Sequence, residues 1–294
     1  MSKRITVVTI SYNAADFIEK TLISVAEQTA KSQIQYIVID GGSTDGTLET
    51  INKYKEHIDI LVSEPDKGIY DAMNKSIDLL CGDWVNFMNA GDTFFSKDTV
   101  QRVIESLADD IDIFYGGYYI TEETSGKIIQ LGDTVAIDML SRKMKDRMPF
   151  CHQSVFVKRE LLVKYRFDES FALAADYDFF MKCLYHKHTF GQFDFEVSCY
   201  AMGGRSESLE LRAAIETVKA YTSYYDMKTV KNSSIYKRLI KLRNIKQDRL
   251  IMALEVDLNN KNAEIKSFYG DLPYRLARVL TYPINKYRLI RGKK

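Results

Sequence analysis

The side chains in this sequence best suited to chemistry are aspartates placed where apolar runs give way to small residues. Asp40 closes the run QYIVID (35–40) and is followed by Gly-Gly-Ser-Thr-Asp-Gly-Thr (41–47). A carboxylate there can accept hydrogen bonds from ribose hydroxyls or a base N–H, and the glycines let a ligand lie against the backbone. An ordinary turn leading into an N-cap would use the same residues. WVNFMN (84–89) delivers Asn89-Ala90-Gly91-Asp92, a carboxylate with small neighbours that suits a divalent cation bridging a diphosphate; magnesium favours one or two carboxylates plus substrate oxygens. The charged, glycine-bearing stretch at 64–75 runs directly into a helix, and Asp71, Asn74 and Asp78 fall at i, i+3 and i+7, on one helix face that could equally be a solvated face. Lys67 and Gly68 stand where that helix begins and suit a phosphate. Further on, Cys151-His152-Gln153 leads into a strand-like run and Ala174-Ala175-Asp176-Tyr177-Asp178 opens a helix. Asp176 and Asp178, two apart, do not share a face, so one of them is expected to point into a site; a capping aspartate is the alternative.

These residues need a scaffold that brings distant segments to one edge. The first 115 residues alternate short β-branched runs at 5–10, 35–40, 58–63, 84–89 and 111–115 with amphipathic segments at 15–28, 47–57, 69–80 and 96–109. Alternating β and α units predict right-handed crossovers and a mostly parallel sheet covered by helices on both faces. Ligands bind such sheets beyond the carboxyl ends of the strands, which is where the aspartates fall. From 118 to 204 the pattern is mixed, with strand-like 128–131, 154–157 and 197–202 around a helix near 176–186. After Gly203-Gly204 the periodicity is helical, and a soft boundary is expected near 204–206, dividing residues 1–206 from a helical, basic region at 207–294.

The chain has 294 residues, 46% hydrophobic and 28% charged, which allows one large or two modest domains and excludes disorder or a fibrous repeat. Its net charge of +1 hides a division. Residues 231–294 carry 16 Lys and Arg against 5 Asp and Glu, a net of +11, leaving 25 against 35, a net of −10, for the first 230. Four dispersed cysteines without a CxxC pair fit a reducing cytosol, and Cys183, His186, His188 and Cys199 match no compact zinc spacing. The short apolar run at 5–10 is unlike a signal peptide, and no stretch reaches the roughly eighteen apolar residues of a spanning helix. A soluble or membrane-peripheral protein is expected. Strand 1 ends in Ser11-Tyr12-Asn13 without GxGxxG, and no GxxxxGK[ST] occurs, which counts against NAD, FAD or a P-loop.

Taken in order, TISYNAADFIEKTLISVAEQT (9–29), YIVIDGGSTDGT (36–47), PDKGIYDAMNKSI (65–77), WVNFMNAGD (84–92), CHQSVFVKRELL (151–162) and ALAADYDFFMK (172–182) resemble the family 2 glycosyltransferases of GT-A fold, and among them bacterial enzymes that build O-antigen, capsule or exopolysaccharide. The resemblance covers residues 4 to about 206. It implies an α/β, Rossmann-like domain in which Thr9, Ser11 and Tyr12 line the base pocket with Asn13 beside it. Asp40 would hold base or ribose, and Lys67, Asp71 and Asn74 the base, ribose or phosphate side. Asn89, Ala90 and Gly91 would flank the donor, and Asp92 would carry a divalent cation, Mg²⁺ or Mn²⁺, as the last residue of the family's DxD. Ala90 replaces the first aspartate of that motif and leaves one direct carboxylate ligand. Asp176 matches the second residue of the family's Glu-Asp motif, with Ala175 in the Glu position, and would be the catalytic base. His152 and Arg205 would lie toward the acceptor.

These roles imply an inverting transfer from a nucleotide-sugar, UDP-linked on family frequency, to a hydroxyl of a saccharide or lipid-linked saccharide. A nucleotidylyltransferase would want a glycine-rich basic loop after strand 1, which 11–17 is not. A non-catalytic nucleic-acid binder would rest on the basic C-terminus alone. The final segment, 271–294, interleaves apolar and basic residues in a way that suits an anionic membrane surface, and a basic helix packed on the body is the alternative. The implied location is cytoplasmic, peripheral on the inner face of the membrane. The helical region from 209 to 268 could supply a homodimer contact.

Overall fold

A computed structural model describes residues 5–122, 126–202 and 210–245. Its first unit runs to Leu239; of the second, 240–294, residues 240–245 are described and are helical. The expected boundary near 204–206, Arg205 and the basic segment 271–294 lie outside the described residues.

Nine strands of the first unit form one sheet. The strands β1 (Ile5–Ser11), β2 (Ile34–Asp40), β3 (Ile60–Ser63) and β4 (Trp84–Phe87) pair in parallel in the order β3-β2-β1-β4. They are linked by α1 (Ile18–Ala26), α2 (Thr47–Lys53) and α3 (Ile69–Ile77). All seven residues of both β1 and β2 are buried, as a strand with helices on both faces requires. Alternation divides β1 between two cores. Ile5 and Val7 join Ile18, Leu22 and Val25 of α1 in one, and Val8 and Ile10 join Met73 and Ile77 of α3 in the other.

After the two-residue β5 (Thr93–Phe94) and α4 (Thr99–Ser106), the sheet is extended by β6 (Ile113–Thr121), β7 (Ile128–Leu131), β8 (Val155–Lys158) and β9 (Phe190–Ala201). The run at 111–115 does not lie beside β4. Instead β8 sits between β4 and β6, antiparallel to both. Two reversals leave β6 and its parallel neighbour β9 aligned with β1–β4, while β5, β7 and β8 run antiparallel to their neighbours, so the sheet is mixed rather than mostly parallel. The insertion of β8 serves the site. Because β8 runs backward, its start lies at the edge where β4 ends, and the register Trp84↔Lys158, Val85↔Val157 places 152–153 level with 89–90.

Further helices are α5 (Leu140–Lys143), α6 (Arg159–Tyr165), α7 (Ala175–Tyr185), α8 (Glu210–Thr222) and α9 (Met227–Asn232), and residues 234–245 are helical as well. Val218, Ala220 and Tyr221 of α8 and Val230 of α9 are buried in the same core as α3 and α7.

Candidate active site

Asp176 is held from several elements. It lies in the first turn of α7, where the helix N-terminus favours negative charge. Its Oδ1 accepts hydrogen bonds from the Tyr70 hydroxyl on α3, at 3.0 Å, and from the Tyr177 N–H, at 2.9 Å. Its Oδ2 lies 3.2 Å from Nδ1 of His152, in the turn leading into β8. Burial pushes this carboxyl up, but His152, the Tyr177 N–H and Tyr70 outweigh it and the net direction is below the ordinary carboxylate range. Asp178 turns away, to Lys182 at 3.3 Å and the Tyr224 hydroxyl at 2.9 Å.

The Asn89 amide, just past β4, sits 3.0 Å from the other ring nitrogen of His152. With Nδ2 facing the ring, Nε2 accepts and Nδ1–H donates to Asp176, and Asn89 Oδ1 is then buried without a partner. Turning the amide over would give Oδ1 an Nε2–H and make the ring a cation; both arrangements keep Nδ1–H on Asp176. His152 and Asp176 back onto an apolar cavity of about 20 Å³ walled by Met73, Phe87, Phe167, Phe179 and Phe180, so their interaction is poorly screened. Asn86 fixes the turn carrying His152 by donating to the Gln153 and Val155 carbonyls at 2.8 and 2.9 Å.

Asp92 is 5% exposed. Its Oδ2 accepts from Gln153 Nε2 at 2.6 Å and its Oδ1 from the Ala201 N–H at 2.9 Å, tying the end of β4 to β9. Burial pushes its carboxyl up to about 6 against the lowering effects of Ala201, His152, Gln153 and Lys20. Thr21 fixes the turn, accepting from the Gly91 N–H at 2.9 Å and donating to the Asp92 carbonyl at 2.6 Å, while the Ala90 N–H donates to Ile10 at 3.0 Å. Among the described residues no group of three or more His, Cys, Asp or Glu could hold a metal ion. One carboxylate and the orphaned Asn89 oxygen fit a hard cation that completes its shell with substrate oxygens, and do not fit one held by protein alone.

At the ends of β1, β2 and β3 most of the expected contact residues bond to the protein. Thr9 is fully buried, its hydroxyl 2.9 Å from the Tyr36 hydroxyl and from the Met88 carbonyl, and so lines no surface. Asp40 is fully buried and accepts from five donors: Ser11 and Ser43 hydroxyls on Oδ1, and the Gly42 N–H, Ser43 N–H and Ser63 hydroxyl on Oδ2. Asn13, at φ 48°, bonds through its N–H to Ser43 and through its Oδ1 to the Thr44 N–H. Tyr12, at 57% exposure, is open to a ligand. On α3, Asp71 Oδ2 caps the Lys67 N–H at 3.0 Å and lies 3.5 Å from Lys75. Asn74 donates to the Phe167 carbonyl and Glu169 and accepts the Phe167 N–H, and Asp78 pairs with Arg166. On the aligned face of α3, Asn74 and the exposed Asp78 therefore fasten the segment 166–169, while Asp71 turns to Lys67 and Lys75. Lys67 is exposed and has no ion-pair partner among the described residues.

Sequence reasoning missed Tyr70, Gln153 and Asn86. The first two lie inside the motifs GIYDAMN and CHQ, and their polar groups in otherwise apolar surroundings were the available signal.

This arrangement, parallel strands ending on acidic and glycine-rich turns beside a carboxylate at a helix N-terminus, defines an α/β protein with its site on the carboxyl edge of the sheet. Residues 6–166, more than half of the chain, match the family model described as Glycosyl transferase family 2. The chain belongs to that family and has the GT-A fold. A PGL/p-HBAD biosynthesis glycosyltransferase of Mycobacterium bovis is 31% identical over 177 residues, which are 58% of this chain and 66% of that protein, so the match spans just under two thirds of the relative's length. An uncharacterised glycosyltransferase of Methanocaldococcus jannaschii is 22% identical over 90% of this chain and 96% of its own. Among solved structures, S. aureus TarS 1-349 in complex with UDP-GlcNAc superposes with TM-score 0.59 at 17% identity, covering 81% of this chain and 71% of TarS. The Pyrobaculum calidifontis mannosyltransferase PcManGT, in complex with GDP-Man and Mn²⁺, gives 0.57 at 17% identity over 98% and 82%. These likenesses establish the fold.

Proposed function

We propose that this glycosyltransferase moves a sugar from a nucleotide-sugar, a UDP-sugar in the first instance, to a hydroxyl of a saccharide or lipid-linked acceptor in surface polysaccharide or glycolipid assembly, with inversion at the anomeric carbon. The observation that carries this reading is Asp176, a carboxylate held ionised by His152, Tyr70 and a helix N-terminus at the sheet's ligand edge. The Oδ2 of Asp176 takes the proton of the acceptor hydroxyl. The acceptor oxygen then bonds to the anomeric carbon as the bond from that carbon to the nucleoside diphosphate breaks, and one displacement inverts the configuration. Tyr12 and Lys67 receive the nucleotide, the ring against the base and the ammonium toward the diphosphate, while Thr9, Ser11, Asn13, Asp40, Asp71 and Asn74 shape the cradle. Asp92 and Asn89 would hold a divalent cation, which supplies neutralisation of charge building on the departing diphosphate. The relatives and neighbours named above support this reading through what they act on or bind.

The test is transfer to an acceptor panel with product configuration read by NMR, together with Asp176→Asn. Inversion is expected, with turnover falling about 10²–10⁴-fold and nucleotide affinity changing by less than about threefold. Retention, or near-wild-type transfer by the variant, would overturn it.

No helix among the described residues is long and apolar enough to cross a membrane. We further propose that 271–294 docks the enzyme on anionic lipid. Deletion of that segment should abolish salt-sensitive cosedimentation with phosphatidylglycerol vesicles, and unchanged cosedimentation would refute it.

A further inference from the structure

Within the proposed nucleotide site, the carboxylate expected to meet the base has no capacity left. Asp40 is enclosed and its two oxygens accept from five protein donors, whereas a carboxylate offers about four lone-pair positions. One residue on, Gly41 has no side chain, and the space its Cβ would fill is occupied by Oδ2 of Asp66, from the loop between β3 and α3. The Tyr12 ring reaches the same point, its Cδ2 3.2 Å away.

Asp66 is held in this pose. Its Oδ1 accepts the Gly68 N–H at 2.8 Å, and Lys75 secures the loop by binding Glu64 at 3.0 Å and the Pro65 carbonyl at 2.9 Å. Gly42 fits beneath the loop at φ 78°, where an added Cβ would stand 3.2 Å from the Pro65 nitrogen. Asp66 Oδ2 has no hydrogen-bond partner among the described residues. An exposed aromatic ring, a bare stretch of backbone and an unspent carboxylate oxygen thus converge at the carboxyl end of β2.

We propose that Asp66, rather than Asp40, reads the nucleotide base in this chain and selects bases that carry a ring lactam N–H. The proposal rests on the nucleotide-sugar reading of this edge. An ionised carboxylate only accepts. Uracil and thymine offer N3–H and guanine offers N1–H, so each can donate to Oδ2; cytosine presents an N3 lone pair to the same oxygen and is repelled. The Tyr12 ring assigns the contact to the base rather than to the ribose, because stacking needs a flat partner.

The test is calorimetric binding of UDP, GDP and CDP to the wild type, Asp66→Ala, Asp66→Asn and Gly41→Ala, each checked by thermal unfolding. The wild type should bind the better of UDP and GDP at least about tenfold more tightly than CDP, the scale of one charge-assisted hydrogen bond. Asp66→Ala should bring that ratio to within about twofold by weakening the preferred nucleotide. Asp66→Asn, whose amide can donate to cytosine N3, should move the ratio toward CDP. Gly41→Ala adds a Cβ where Oδ2 now lies and should reproduce the loss with Asp66 still present. An unchanged ratio in Asp66→Ala overturns the proposal, and equal weakening of all three nucleotides overturns it by assigning Asp66 to the ribose. If the wild type binds no nucleotide, the nucleotide-site reading fails as well, so the two failures are distinguishable.

Discussion

His152 Nδ1 and Asp176 Oδ2 meet at 3.2 Å although the residues come from a reversed strand's leading turn and a helix N-terminus. The imidazole gives the carboxylate a directional donor, and Tyr70 and the Tyr177 N–H hold its other oxygen.

The first prediction concerns that contact. His152 lowers the Asp176 carboxyl, so His152→Ala should raise it and move the acid limb of the kcat/KM profile to higher pH, with kcat near neutrality down about tenfold. His152→Gln, which can still donate a hydrogen bond, should recover part of the shift. A pH–rate series over pH 4–8 decides it; an unmoved limb means that His152 only fills space.

Asp92 behaves in the opposite sense. Its carboxyl is raised from 3.8 to about 6 by burial, so the folded protein holds that proton more tightly than the unfolded chain. The stabilisation is complete below about pH 4 and is lost as pH rises through 6. Relative to Asp92→Asn, which does not titrate, the wild type should lose about 1.4 kcal/mol per pH unit between pH 4 and 6, with no further change above, measured by urea unfolding. A divalent cation competing with this proton should bind progressively better up to pH 6 and evenly beyond.

Asn74 is predicted to matter for stability rather than for ligand. Asn74→Ala removes three bonds to Phe167 and Glu169 and should cost about 2–3 kcal/mol in urea unfolding. Nucleotide affinity should change by less than about threefold. A large loss of affinity at unchanged stability would return Asn74 to the list of ligand contacts.

A fourth prediction links α8 to Asp176. Glu216 Oε2 accepts the Ala172 and Leu173 N–H groups at 2.9 and 2.7 Å, fixing the loop that enters α7 just before Asp176. Glu216→Ala should lower kcat about tenfold while leaving donor KM nearly unchanged. The Glu216→Asp variant, with a shorter reach, should fall between them.

Much of the scaffold is legible in the sequence because its signals are local. The run at 128–131 forms β7 over those residues, and Ser43-Thr44-Asp45-Gly46 leads into α2 at Thr47. The start of β9 is not legible in the same way: Phe193, Phe195 and Val197 alternate inward, but Asp194 and Glu196 between them break any apolar run. Nor does composition reveal that β8 runs backward, since strand polarity depends on where a connection returns the chain. At the site, the divergence of Asp176 and Asp178 follows from helical geometry alone. The engagement of Asn74 does not, because its partners lie more than ninety residues away and a short amide reads the same facing a ligand or a distant backbone. Asp66 escaped notice for a related reason, since its meaning depends on the side chain that Gly41 lacks.

The reversed strand β8 also separates two kinds of change. Its pairing with β4 and β6, and the Asn86 bonds to Gln153 and Val155, fix the turn that carries His152 regardless of what precedes it. Upstream of that turn, the exposed strand β7 pairs with β6 and not with β8. Substitution on that exposed strand is expected to leave His152 and Asp176 in register. Change on β7 and change at that pair are therefore separable.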